Sequence, residues 1–308
     1  MVFFSIIIPL YNKKNYIVKT IQSVLNQTFN NFELLIINDG SDDKSELEVL
    51  KFNDSRIFLH HQNNKGVATA RNVGIKNAKG SYICFLDADD VWKPDFLETF
   101  KKYIDLVPAQ KVFSCRFEIE TARKTFVPKY SIKKTNDFEI VNFFKASFKE
   151  SVLWTSSAAF EKSVFDEVGT FDQNLKNSED TDLWIRIGLM YNVVFIWKIV
   201  AKYCFDQQSI SRNLHYGLEE ITFNKYKKIE KNNSDIKKFL DLNRYSKAIK
   251  FKILGNFTDY NKFKNEILIT NLTLKKRIIL NLPPKTLIFL IALKTQLTNL
   301  GFGNAVFK

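Results

Sequence analysis

A chain of 308 residues that is 45% hydrophobic and 26% charged, with 29 Phe and 11 Tyr, can bury a large core, which excludes a disordered chain or a lone small module. Three Cys (Cys84, Cys115, Cys204) and three His show neither CxxC nor HExxH spacing, so no disulfide framework or zinc site is expected and a reducing compartment is. The net charge of +13 is concentrated late: 27 basic and 26 acidic residues precede a cut after Ser209, against 19 and 7 beyond it. Such a tail is either a face for an anionic partner, nucleic acid or lipid headgroups, or a solvated Lys-rich bundle.

In chain order, the start MVFFSIIIPLYNKK has no basic segment before its apolar run, and that run ends at Pro9. No signal peptide is expected, and no later stretch approaches the roughly 18 apolar residues of a membrane span. Short apolar runs at Phe3–Ile8, Phe32–Ile37, Ile57–Leu59 and Tyr82–Leu86 predict strands. Between the first two, Asn15 is placed to cap a helix whose Ile17, Ile21, Val24 and Leu25 form one buried stripe. A second helix is expected from about Gly66 to Ala78, and Pro94 suits the first turn of a third. Lys111–Glu120 reads as a strand and Thr121–Asn136 as a mobile loop. An apolar patch follows at Val152–Phe160, then a helix near Glu161–Val168, a turn at Gly169, a helix from Glu179 and a strand at Val193–Trp197. Beyond Arg212 the pattern is helical, broken at Pro283–Pro284. The whole is an α/β chain with a mainly parallel sheet flanked by helices, residues 1–211, followed by a helical, basic C-terminal region, 212–308.

A dinucleotide-binding reading needs a glycine-rich turn after the first strand, but Pro9-Leu10-Tyr11-Asn12 stands there, and no P-loop motif occurs anywhere. If a nucleotide binds, side chains and a metal must do much of the phosphate work. Four segments fall where strand ends meet the ligand face of an α/β sheet: Pro9–Asn12, Asn38-Asp39-Gly40-Ser41, Asn64–Gly74 with Arg71, and Asp87-Ala88-Asp89-Asp90. Asp39 alone reads as turn chemistry or a ligand contact, and Arg71 alone as a solvated charge. Three carboxylates in four residues repel one another unless a divalent cation compensates them, which suits Mg²⁺ or Mn²⁺; the other reading is that Asp89 or Asp90 caps a helix over Trp92–Tyr103.

As a set these segments resemble family 2 glycosyltransferases, an inverting group with the GT-A fold, and the resemblance runs on through Val168–Asp172 and Ser178–Trp184 to about residue 211. It implies a Rossmann-like half that binds a nucleotide sugar, with a preference for UDP. By that analogy Pro9, Tyr11 and Asp39 meet base and ribose, Arg71 lies near base or diphosphate, Asp87 and Ala88 line the ribose side, and Asp89 holds Mn²⁺ or Mg²⁺. Asp180 matches the general base, with Glu179 and Trp184 on the acceptor side; in isolation the Glu-Asp pair reads as helix N-terminal charge, and Trp154 and Trp184 as core. Asp206 stands where the family often has a His, and as an oxygen ligand it is a candidate for the metal or diphosphate. The expected activity is transfer of a sugar to a glycan or lipid-linked acceptor in cell-surface polysaccharide or lipopolysaccharide synthesis. The expected location is cytoplasmic, with the basic tail peripheral at an anionic membrane surface. A nucleotide-sugar-binding protein without transferase activity is the alternative. A nucleic-acid-binding protein is another, but the tail lacks zinc-finger, RRM or basic-zipper signatures, so no nucleic acid partner is expected.

Overall fold

The computed structural model describes residues 2–121, 124–175, 177–204 and 223–299. The front of the chain runs β1 (Phe4–Leu10), α1 (Ile17–Leu25), β2 (Phe32–Asp39), α2 (Ser45–Val49), β3 (Ile57–Gln62), α3 (Val67–Asn77) and β4 (Tyr82–Phe85). Next come β5 (Val91–Trp92), α4 (Phe96–Leu106), β6 (Val112–Glu120), β7 (Thr125–Phe126), β8 (Phe138–Val141), α5 (Phe143–Ala146), β9 (Ala158–Glu161), α6 (Ser163–Val168), α7 (Glu179–Met190) and β10 (Val193–Cys204). The tail holds α8 (Lys227–Glu230), α9 (Ser234–Ile253), α10 (Phe257–Glu266), α11 (Leu274–Asn281) and α12 (Pro284–Asn299). No helix among the described residues is long and apolar enough to cross a membrane.

One sheet organises these elements, in the order β3-β2-β1-β4-β9-β6-β10-β5, with β7 on β6 and β8 on β10. The first four strands are parallel, and β1 and β2 are buried along their whole length, as strands covered on both faces must be. Beyond β4 the sheet is mixed: β9 runs antiparallel to both β4 and β6, while β10 is parallel to β6. The first strand has β2 on one side and β4 on the other, so the chain order reverses there. Ligands of open α/β sheets bind at such a reversal, beyond the strands' C-terminal ends.

Pro9 shapes that opening. Ile7 accepts from Leu86 N at 3.0 Å, and the alternation along a strand turns Pro9 toward the same edge, where it has no N–H to give. Pairing with β4 stops at Ile7–Phe85, and the chain carrying Asp87–Asp90 leaves the sheet. At the other end of the strands, Ser5 Oγ donates to Glu33 at 2.6 Å and accepts from Gly80 N at 2.8 Å, tying β1, β2 and β4 together.

Some local expectations fail. Asn15 does not cap α1: the cap is Tyr16 and no side chain bonds there, although Ile17, Ile21 and Val24 are buried as the stripe requires. Helix α4 starts at Phe96 rather than at Trp92, because Val91–Trp92 pairs with Ala201 and Lys202 of β10. Asp89 and Asp90 therefore cap no helix, and Pro94 lies outside its first turn. The segment expected as a mobile loop contains β7, hairpinned on β6, and a buried Tyr130.

The tail helices pack on the sheet unit through Phe239, whose ring lies 5.1 and 5.5 Å from Phe143 and Phe144. Inside the tail, fully buried Arg244 meets Glu230 through two bonds of 2.6 and 2.8 Å, and also Asp241 and Glu266. The expected boundary at 211/212 lies outside the described residues.

A Cβ added at Gly80 would lie 2.6 Å from the Ser5 backbone nitrogen, which cannot swing aside. Gly80→Ala should destabilise the fold by about 1–3 kcal/mol, read by denaturant unfolding. An unchanged midpoint would show that the strand starts tolerate displacement.

Candidate functional site

The C-terminal ends of β1, β2 and β4 and the N-termini of α3 and α7 converge on one crevice, and Arg71 is its hub. Helix α3 carries this side chain inward, so that a residue type expected in solvent is only 4% exposed. Its Nη2 donates to Asp87 Oδ1 at 2.8 Å and its Nη1 to Glu179 Oε1 at 2.7 Å. Burial works against the guanidinium charge, yet Asp87 and Glu179, with Asp180 adding, more than offset it and raise the Arg71 pKa. Three segments distant in sequence are thereby locked to one another. Asn72 reinforces the link, its side chain exchanging bonds of 2.8 and 3.0 Å with the backbone of Phe171.

The three carboxylates after β4 divide the labour. Asp87 is half-buried on Arg71, and its N–H donates to Ser156 Oγ at 3.1 Å. Asp89 is paired with Lys13, Nζ to Oδ2 at 2.5 Å. Burial raises the Asp89 pKa, the Asp87 charge adds to this, and Lys13 opposes it. Asp90 is fully buried, accepting from Ser156 Oγ at 2.7 Å and Cys204 N at 3.1 Å, and burial with its two acidic neighbours pushes its carboxyl well above the usual range. It is a strut between the turn and the end of β10. Ala88 is buried, and its carbonyl, like that of Asp90, accepts from Thr20 of α1.

The remaining expected contacts are distributed around this centre. Pro9 is buried within β1, and Tyr11 is partly exposed just beyond it. Asp39, 3% exposed, accepts from Gln62 Nε2 at 2.6 Å and from the N–H groups of Lys65 and Gly66 at 2.8 Å each, so it also fixes the turn that starts α3. Gly66 is there because the turn needs φ +89°. On α7, Glu179 is buried on Arg71 while Asp180 is partly exposed, Oδ1 accepting from Thr181 N at 2.5 Å. Ser178 enters this helix at φ +66°, a left-handed conformation rare for a residue with a Cβ.

Trp184 does not belong to an acceptor face. It is 3% exposed and stacked on Phe160 at 5.2 Å, because its place on α7 points it into the core. Asp206 lies outside the described residues. Lys13, Thr20, Ser156 and Asn72 complete the site without having been assigned to it; Asn72 lies within a quoted motif and Lys13 adjoins one. Among the described residues no group of three or more His, Cys, Asp or Glu is arranged to enclose a metal. Asp87 and Asp89 alone suit an ion of the Mg²⁺ kind, which takes one or two carboxylates and draws its other oxygens from water and substrate phosphates.

The profile of "Glycosyl transferase family 2" matches residues 5–169. An uncharacterized glycosyltransferase of Rickettsia felis is 37% identical over 199 residues, which are 64% of this chain and 32% of that protein. This chain thus spans about a third of that relative's length. The Escherichia coli UDP-Glc:alpha-D-GlcNAc-diphosphoundecaprenol beta-1,3-glucosyltransferase WfgD is 48% identical over 95 residues, 30% of this chain and 38% of that one. The fold is similar to that of S. aureus TarS 1-349 in complex with UDP-GlcNAc, with TM-score 0.62 and 18% identity over 94% of this chain and 79% of that chain.

Burial, with the charge of Asp180 adding and Arg71 opposing, pushes Glu179 up from 4.5 to about 7. A carboxyl raised in the folded state contributes stability that is full below 4.5 and lost as pH climbs through about 7. Glu179→Gln should therefore flatten the decline in thermal unfolding temperature across that window. A pH profile identical to wild type would show that Glu179 does not titrate there.

Proposed function

This chain belongs to glycosyl transferase family 2, and from that premise we propose that it moves a sugar from a nucleoside-diphosphate donor, a UDP-sugar, to a hydroxyl of a glycan or lipid-linked acceptor with inversion. The observation that carries the reading is the Arg71 bridge. One buried guanidinium holds Asp87, on the proposed donor side, and Glu179, next to the proposed base, in a single unit. The names of two similar proteins agree in kind: one TarS structure is a complex with UDP-GlcNAc, and WfgD is named for UDP-Glc and a diphosphoundecaprenol-linked GlcNAc.

In this reading Tyr11 and Asp39 face the base and ribose, and Asp87 the ribose. Asp87 and Asp89 would hold Mn²⁺ or Mg²⁺, which supplies Lewis-acid stabilisation of the departing diphosphate. Asp180 takes the proton from the attacking hydroxyl, since Glu179 is committed to Arg71 and Asp180 is the carboxylate of that pair with exposure. A single displacement needs no covalent nucleophile.

We also infer that the tail rests on an anionic membrane surface at the cytoplasmic face. Ile288, Phe289, Leu290 and Ile291 of α12 are exposed, Phe289 at 64%, and Lys285 precedes them on the same helix. Basic residues near such a surface contribute about 1 kcal/mol each, and an exposed apolar helix face adds insertion.

Asp180→Asn should keep UDP affinity and lose at least about 100-fold in kcat. EDTA, or Asp89→Ala, should likewise suppress turnover. Near-normal turnover by Asp180→Asn with Glu179→Gln inactive would move the base one residue upstream; wild-type binding of UDP-sugars without any transfer would favour a binding protein. In flotation assays the full chain should bind anionic vesicles and not neutral ones, and Phe289→Asp should weaken that binding. Equal binding to both vesicle types would contradict the electrostatic part.

A further inference from the structure

We propose that Lys13 is the ligand of the donor's diphosphate, its ammonium passing from Asp89 to the phosphate oxygens when donor binds. This rests on the reading of the crevice as a nucleotide-sugar site and deepens it. A diphosphate takes direct protein contacts from backbone N–H groups or side-chain cations besides any metal, and the turn after β1 has no glycine to form a backbone cradle. Arg71 was the expected cation, but its two terminal nitrogens are spent on half-buried Asp87 and buried Glu179. Turning it toward a phosphate would strand Glu179, 7% exposed, without its partner.

Among the described residues, the other cation paired with the carboxylate cluster is Lys13, with 21% of its side chain exposed. Its backbone is fixed on both sides. The N–H donates to Ser45 Oγ at 2.9 Å, and the carbonyl accepts from Tyr16 and Ile17 N at 2.9 and 3.0 Å as the chain enters α1. Asn12, just before it, is held at φ +51°, its N–H on Ser41 Oγ at 3.1 Å and its Oδ1 accepting from Asp42 N at 3.0 Å. This left-handed residue turns the chain so that the lysine reaches across to the turn after β4. A lysine is a point charge on a flexible four-carbon stem, so its ammonium can change partners while this backbone stays still. The fixed fork of Arg71 has no such freedom.

The test is calorimetric titration of the full chain with UDP and Mn²⁺, alongside ligand-observed NMR with uridine. Wild type should bind both, and Lys13→Gln should bind UDP at least about tenfold more weakly with uridine unchanged, as expected for loss of one charge-assisted contact. Lys13→Arg should recover most of the UDP affinity. Mn²⁺ alone, followed by electron paramagnetic resonance, should bind Lys13→Gln more tightly than wild type, because Asp89 is no longer covered. The inference is overturned if Lys13→Gln binds UDP like wild type, if it loses UDP and uridine alike, or if its Mn²⁺ affinity does not rise. Failure of wild type to bind UDP would instead remove the donor-site reading beneath it.

Discussion

A guanidinium taken out of water must be paired or it is intolerably unstable, and Arg71 is such a group. Removing either of its carboxylates leaves a buried charge, so α3, the turn after β4 and the entry to α7 hold their relative positions under a strong electrostatic penalty. That constraint fixes the entry to α7, where the left-handed residue Ser178 stands directly before Glu179 and Glu179 is paired with Arg71. It also explains why Glu179 and Asp180, successive residues about 100° apart on a helix, differ in environment: one is spent inside, the other is left at the crevice.

The carboxylate cluster follows the same logic. Three acids in four residues do not sit as three equal charges, and the fold separates them by solvation and partner. Asp90 is desolvated and held by neutral donors, Asp89 is neutralised by an ammonium on a flexible stem, and Asp87 by a fixed guanidinium. Of the two paired carboxylates, Asp89 is the one met by a lysine, the cation with the flexible stem. A site meant to exchange one counter-charge for another places its flexible cation at the point of exchange and its rigid one where geometry must be kept.

Much of the fold was legible in the sequence because parallel strands buried on both faces are continuous apolar runs. Phe4–Leu10, Phe32–Asp39 and Tyr82–Phe85 and the helix Val67–Asn77 lie close to where patterning puts them. The short antiparallel strands were not: Val91–Trp92 and Thr125–Phe126 have two residues each, and their pairing depends on β10 and β6, far along the chain. For the site, residue types in motifs pointed to Asp39, Arg71 and Asp87–Asp90, but not to how they are partnered. Arg71 read as a solvated charge in isolation because its two carboxylates lie 16 and 108 residues away. Trp184 read as an acceptor-side residue or as core, and its burial and stacking on Phe160 decide for core. Ser156, which supports both Asp87 and Asp90, carried no local signal at all.

The tail shows the same separation of buried and exposed charge on a larger scale. Its excess of positive charge does not come from the interior, where Arg244 is met by Glu230, Asp241 and Glu266, three of the few acids available there. With those acids spent inside, few remain on the outer helices to offset their many lysines. Surface positive charge is therefore a consequence of how the tail builds its core. The tail also reaches the sheet unit directly: Tyr226 donates to Asp182 Oδ1 at 2.7 Å, and Asp182 accepts from Arg186 at 3.0 Å. Asp182 lies on the helix that carries Glu179 and Asp180, so the basic tail grips the same helix that presents the candidate base.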